Sequence, residues 1–181
     1  MGSLQSVFKS ACRFVLLLIA VCISLPALAD TVKDAVKDTV NESSADQWLF
    51  NISPFTQHYH PKPEHKYVWL VGIEKESTDK SLMGLAYFSN SFGQDCVYIY
   101  PWGQRYPNLW GYERLTGKWS AGVIYGYTGQ YENKVPLNYK GYSVGFIPGL
   151  SWRLDGGVEV QMNLVGGAGF MFQASFPISL W

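Results

Sequence analysis

From Trp48 to the end of the chain, large apolar residues recur at every second position. Tyr142, Val144, Phe146, Pro148, Leu150, Trp152 and Leu154 form one such row, with Ser143, Gly145, Ile147, Gly149, Ser151 and Arg153 between them. Val158, Val160, Met162 and Leu164 enclose Glu159, Gln161 and Asn163 in the same way. Trp119, Val123, Tyr125 and Tyr127 stand opposite Ser120, Gly122 and Gly126. A period of two is the signature of strands with unlike faces. The pattern predicts eight strands, roughly 48–58, 66–76, 81–91, 96–114, 119–131, 135–154, 158–165 and 168–180. Ser77-Thr78-Asp79-Lys80 and Asp155-Gly156-Gly157 carry turn chemistry between neighbouring strands.

A soluble sandwich would also alternate, but its outer face would be rich in charge. Here the residues between the apolar ones are small or neutral-polar, charges gather at strand ends, and no helical pattern is available to cover the sheet. These features predict an all-β fold, an eight-stranded antiparallel barrel of the outer-membrane kind. An interior of that size is filled by side chains or holds one small ligand, which excludes an open pore. Trp181 suits a barrel terminus, although its phase is opposite to the apolar row Phe170, Phe172, Ala174, Phe176, Ile178 and Leu180.

The first part of the chain follows other rules. Lys9 and Arg13 precede the apolar run Phe14 to Ile23, and Pro26-Ala27-Leu28-Ala29 follows it. That order predicts a signal peptide, residues 1–29, cleaved after Ala29. Its removal would leave Cys96 as the single cysteine, which cannot form an internal disulfide. Residues 30–46 place Val32, Val36 and Val40 on one helical stripe, so they read as a short amphipathic helix or a flexible leader. The barrel would then occupy 47–181. Formal net charge is zero and no basic run occurs, which argues against a nucleic-acid partner.

An even strand count puts both barrel termini on one rim. The connections after the first, third, fifth and seventh strands then share the opposite, external rim. Topology thus brings together His58 and His60 from one loop with Asn90 and Ser91 from another. The stretch Gly84 to Gln94 ends a strand on Asn-Ser just before Gly93, which suits a plain turn as well as an accessible hydroxyl. His58, His60, Glu64 and His65 admit three readings: a polar rim loop, a metal site, or a general base at His58. Strand parity objects to the last, because Phe50, Ile52 and Pro54 share the phase of His58. A bulge near Pro54 would restore it.

With His58 and Ser91 on one rim, the chain resembles the outer-membrane lipid A palmitoyltransferases, the PagP family. Phe50-Asn51-Ile52-Ser53-Pro54-Phe55-Thr56-Gln57-His58 is similar to that family's first strand, which runs through a Thr-x-His to the catalytic histidine. Phe88-Ser89-Asn90-Ser91-Phe92 is similar to its Phe-Lys-Asp-Ser-Trp, which carries a catalytic Asp-Ser pair. Tyr127 to Pro136 and Gly157 to Gly166 resemble the later strands more loosely.

The resemblance implies a monomeric, cofactor-free and metal-free enzyme of the outer membrane. It would move a palmitoyl chain from a glycerophospholipid to lipid A and so protect the envelope against antimicrobial peptides. Its implied catalytic residues are His58, Asn90 and Ser91. The residue at the floor of the acyl-chain well, which sets chain length, falls at Trp102 or Gly103. Pro54 and Pro148 would bound lateral gates.

Asn90 departs from the family pattern, which has a carboxylate there. An amide stabilises an imidazolium poorly, and in serine hydrolases the same exchange lowers turnover about 10⁴-fold. Three outcomes follow: Asn90 orients His58 or donates to an oxyanion, Asp95 supplies the carboxylate, or the barrel binds lipid without catalysis. A lipid A deacylase would carry a His-x-Ser motif in a late strand, and none occurs here. An adhesion barrel would favour long external loops, whereas Gly166-Gly167 makes one of them minimal.

Overall fold

The structure, a computed structural model, describes residues 46–178. The signal segment, the candidate helix apart from Asp46, and Trp181 lie outside the described residues. The strands are β1 (Gln47–His58), β2 (Leu70–Glu76), β3 (Leu82–Ser89), β4 (Asp95–Tyr106), β5 (Leu115–Tyr125), β6 (Tyr142–Arg153), β7 (Glu159–Val165) and β8 (Gly169–Ile178). Each pairs antiparallel with the next, and β8 returns to β1 to close the barrel. The expected all-β, eight-stranded closed barrel is therefore present.

Two strands stop earlier than the alternation suggests, because their backbones leave the extended region. After Tyr106 the chain passes Pro107 and enters a short 3₁₀ turn in which Asn108, Trp110 and Gly111 have positive φ. After Tyr125 it runs through a loop to Gly141 that holds a second 3₁₀ turn, Gly129–Lys134. Tyr127, expected in the outward row of β5, instead packs on the interior cluster. At the inner rim, the Ser81 hydroxyl and N–H both donate to Asp79 and hold its carboxyl below the usual range. That Asx turn fixes the hairpin between β2 and β3.

The outer face carries Ile73, Leu85, Ile99, Val123, Val144, Phe146 and Val160, all exposed. Tyr106, Trp110 and Tyr112 are exposed at the inner end, and Tyr67, Tyr139 and Tyr142 at the outer end. An apolar band between aromatic girdles is what a strand sheet needs to stand in hydrocarbon. Such a barrel is consistent with an outer-membrane protein.

The interior has two halves. Toward the outer rim it is apolar: Leu70, Ala86, Phe88, Cys96, Tyr98 and Met171 are buried together, with Ile124, Ile147 and Val165 against them. Toward the inner rim it is charged. Lys118 of β5 reaches across to both carboxylate oxygens of Glu74 on β2, at 2.8 and 2.9 Å. The Tyr100 hydroxyl donates to Glu74 as well, at 3.1 Å. Arg105 grips Glu159 of β7 with bonds of 2.6 and 2.7 Å and lies 3.2 Å from Glu76. Charges thus are not confined to strand ends: Lys118 is a buried strut. Interior charge survives only when paired, and these pairs tie opposite walls of the barrel together.

Two β-bulges, each at a proline, set which residues face in. On β1 the register against β8 shifts between Ile52 and Phe55, with Pro54 inside the shift. On β4 the register against β5 shifts between Ile99 and Trp102, with Pro101 inside it. A bulge puts two residues opposite one and so reverses the phase beyond it. Tyr98 and Tyr100 face in before the second bulge, and Gly103 and Arg105 face in after it. Without that reversal the Arg105 charge would point into the apolar band.

Candidate functional site

The outer rim is where the sequence places its chemistry. His58 ends β1, and the bulge at Pro54 decides its direction. Before the bulge Leu49, Asn51 and Ser53 face the interior. After it, Phe55 is on the outside, stacked on Phe172 at 6.2 Å, while Thr56 pairs with the buried Met171 and His58 with Gly169. His58 therefore takes the inward phase, as a bulge near Pro54 requires. Thr56 Oγ1, on the same inward row, is buried without a hydrogen-bond partner among the described residues.

Asn90 to Gln94 form the β3–β4 hairpin turn. The Asn90 side chain is 1% exposed and occupied on both ends of its amide. Its Oδ1 accepts from the N–H groups of Phe92 and Gln94 at 2.9 and 3.0 Å. Its Nδ2 donates to Gln94 Oε1 at 3.2 Å and to Cys96 Sγ at 3.4 Å. The backbone closes the turn with Gly93 N–H donating to Asn90 O, and Gly93 adopts φ 77°. An asparagine that bonds to N–H groups two and four residues on is a turn-former. Ser91, at the tip, is half-buried, and its carbonyl accepts from the Lys66 N–H at 2.8 Å.

The two loops do meet. The His58 and His65 rings lie 4.6 Å apart, His65 meets Phe92 edge-on at 6.0 Å, and Phe92 stacks on Tyr131 at 4.4 Å. Gln94 Nε2 ties the hairpin to the β5–β6 loop through the Thr128 carbonyl and hydroxyl, both at 3.2 Å. Among the described residues, no hydrogen bond joins His58 to Asn90 or Ser91. Asp95, the other candidate carboxylate, is exposed and lies beside the outward Tyr87. No cluster of three His, Cys, Asp or Glu side chains at metal-binding spacing occurs among the described residues.

The remaining positions fall as follows. Trp102 is on the outer face, 63% exposed, and Gly103 faces the interior. Gly103 follows Tyr100 along β4, so it lies deeper than the apolar half and next to the charged one. At Pro54 the β1–β2 ladder ends, its last pair being Ser53 with Leu70, although β1 continues along β8 to His58. At Pro148 the β6–β7 ladder has not yet begun, since its first pair is Gly149 with Asn163. Both seams are thus unpaired over their outer halves, each bounded by a residue with no N–H to give. The Tyr67 hydroxyl donates to the Pro54 carbonyl across the first seam.

Sequence reasoning named His65 as a candidate but missed the link that it forms with Phe92, Gln94 and Tyr131 between the loops, and the backing of Asn90 by Cys96. Pro101, inside a strand pattern, is the signal that could have located the second bulge and separated Trp102 from Gly103.

The use of Asn90 makes a sharp expectation. Asn90→Asp would place a carboxylate against Gln94 Oε1 and Cys96 Sγ with no hydrogens to donate. We expect the folded barrel to lose roughly 1–3 kcal/mol. The urea midpoint in detergent micelles measures this, and an unchanged midpoint would refute the turn-forming role. No family model matches this chain, and no curated protein does.

Proposed function

We propose that this barrel is an acyltransferase of the outer membrane, moving a palmitoyl chain from a glycerophospholipid to lipid A. The resemblance to the PagP family suggests the activity. The observation that carries it is the apolar outer half of the interior, lying beneath His58 and Ser91 and flanked by strand pairs that lack ladder bonds beyond Pro54 and before Pro148. An acyl chain needs an apolar lining of this kind and a passage from the bilayer. A hydroxyl of lipid A attacks the ester carbonyl of the donor while His58 takes its proton as general base. The ester bond to glycerol breaks, and the leaving lysophospholipid oxygen recovers that proton. Ser91 supplies a hydroxyl beside the reacting carbonyl, and Asn90 holds the hairpin that presents it. The chain end rests on the stacked Tyr98 and Tyr100 rings, whose centroids are 4.9 Å apart, with Gly103 beneath them.

A second reading, a lipid-binding barrel without catalysis, draws support from Asn90 and Asp95. One is absorbed in a turn and the other faces outward, so no carboxylate backs His58 among the described residues. Mass spectrometry of lipid A from cells expressing the barrel separates the two. Transfer requires a palmitate-sized mass gain with wild type that disappears with Ser91→Ala. If wild type folds in the membrane and gives no gain, the lipid-binding reading stands instead.

A further inference from the structure

The cations of the barrel divide by location. Lys75, Lys80, Arg105, Arg114, Lys118 and Arg153, in the strands and at the inner rim, each lie within 4.0 Å of a carboxylate. Lys62, Lys66, Lys134 and Lys140, in the outer loops, are exposed and make no ion pair among the described residues. Glu64 and Glu132 stand in those same loops, yet neither is spent on these lysines. A protein that pairs its charges at one end and leaves them unpaired at the other presents an anion-seeking surface.

Lys66 and Lys134 differ from the other two in where they are held. The Lys134 ammonium lies over the Phe92 ring, 5.7 Å from its centroid. The Lys66 stem runs along Gly93, where an ideal Cβ would come within 3.3 Å of its Cγ. The Lys66 N–H is bonded to the Ser91 carbonyl. Both lysines therefore lie against the same five-residue hairpin, from different loops, Lys134 at Phe92 and Lys66 at Ser91 and Gly93. Phe92 also makes a T-shaped contact with His65, which in turn meets His58. A cation over an aromatic face keeps its charge available to a second partner. Lys62 and Lys140 have no such place: Lys140 lies over Tyr139, outside this cluster.

We infer that Lys66 and Lys134 form a clamp for the phosphate group of a lipid headgroup, holding it over the Ser91 hairpin. The clamp deepens the acyltransferase reading by naming how a lipid is seated, and rests on it only for the fate of that lipid. Two lysines held against one small turn from different loops match a phosphate monoester, which offers several anionic oxygens to more than one donor.

The test uses the full-length folded barrel in neutral detergent micelles and reads quenching of its tryptophans by brominated phosphatidic acid or brominated phosphatidylcholine. Wild type should prefer phosphatidic acid. K66Q/K134Q should lower that preference roughly 30-fold at low salt, while K62Q/K140Q leaves it nearly intact. Equal losses in the two pairs would mean diffuse rim charge and overturn the clamp, as would a wild type without preference. Millimolar inorganic phosphate added as competitor identifies the source. Cancelled preference shows that the clamp takes the phosphate group itself, and retained preference shows that it takes it only on a lipid. If wild type shows the preference but transfers no palmitate, the acyltransferase reading fails and the clamp stands.

Discussion

Lys118→Met should destabilise the barrel by about 3–5 kcal/mol, the largest stability loss expected from one substitution in the interior. Lys118 supplies two of the bonds that hold the Glu74 carboxylate, and Glu74 is 2% exposed. Removing the ammonium leaves Glu74 with the Tyr100 hydroxyl and no ion-pair partner within 4.0 Å among the described residues, in a place water does not reach. Arg105→Met should cost less, because its partners keep others: Lys80 lies 3.2 Å from Glu76, and Arg153 lies 3.2 Å from Glu159. The double variant Lys118→Met/Glu74→Gln should recover most of the loss, since a neutral amide can still accept from Tyr100. Urea midpoints of the refolded barrel in micelles, at constant m, rank the three. A Lys118→Met barrel as stable as wild type would mean that the strut is not what braces β2 against β5.

That strut shows where reading the chain reaches its limit. The strands were legible because each faces two unlike environments, and a period of two records this directly in residues such as Val144, Phe146, Ser143 and Gly145. The charged half was not legible, because pairing across the barrel joins residues far apart in sequence. Glu74 and Lys118 look like two unrelated strand-end charges until closure sets β2 opposite β5. The 3₁₀ turns after Tyr106 and Tyr125 were hidden for a different reason: aromatic residues such as Trp110, Tyr112, Tyr127 and Tyr131 extend the strand pattern into loops. On the rim, topology alone brings His58 and the Ser91 hairpin together. What it cannot convey is the commitment of Asn90, since an Asn and an Asp in a turn differ only in what their second atom meets. Here that atom meets Gln94 and Cys96, an environment that demands a donor.

The two halves of the interior also explain each other. Eight strands enclose too little volume to hold both a full polar network and a lipid chain at the same level. Concentrating the ion pairs toward the inner rim closes that end and fixes the barrel's cross-section. The outer half is then free to be apolar, and its seams need less pairing because rigidity comes from below. The unpaired stretches beyond Pro54 and before Pro148 lie in that outer half, where opening them leaves every charged strut in place.

On the acyltransferase reading proposed above, deleting Pro54 should nearly abolish palmitoyl transfer while leaving the barrel folded. The deletion removes the extra residue of the bulge between Ile52 and Phe55. Leu49, Asn51 and Ser53 are anchored in the interior, Ser53 by its hydroxyl bond of 2.7 Å to the Phe172 carbonyl. The part that gives way is therefore the strand end, and Thr56 and His58 turn to the outer face. If His58 is the proposed general base, it contributes nothing once it has left the interior, and the loss should equal that of His58→Ala, roughly 10²–10⁴-fold. Combining the deletion with His58→Ala should add no further loss, because both remove the same group from the same place. Heat-modifiable migration on gels establishes folding, and lipid A mass spectrometry reads transfer. If the deletion chain folds and still transfers palmitate at the wild-type rate, the bulge is not what aims His58, and the inward histidine loses its claim to be the base.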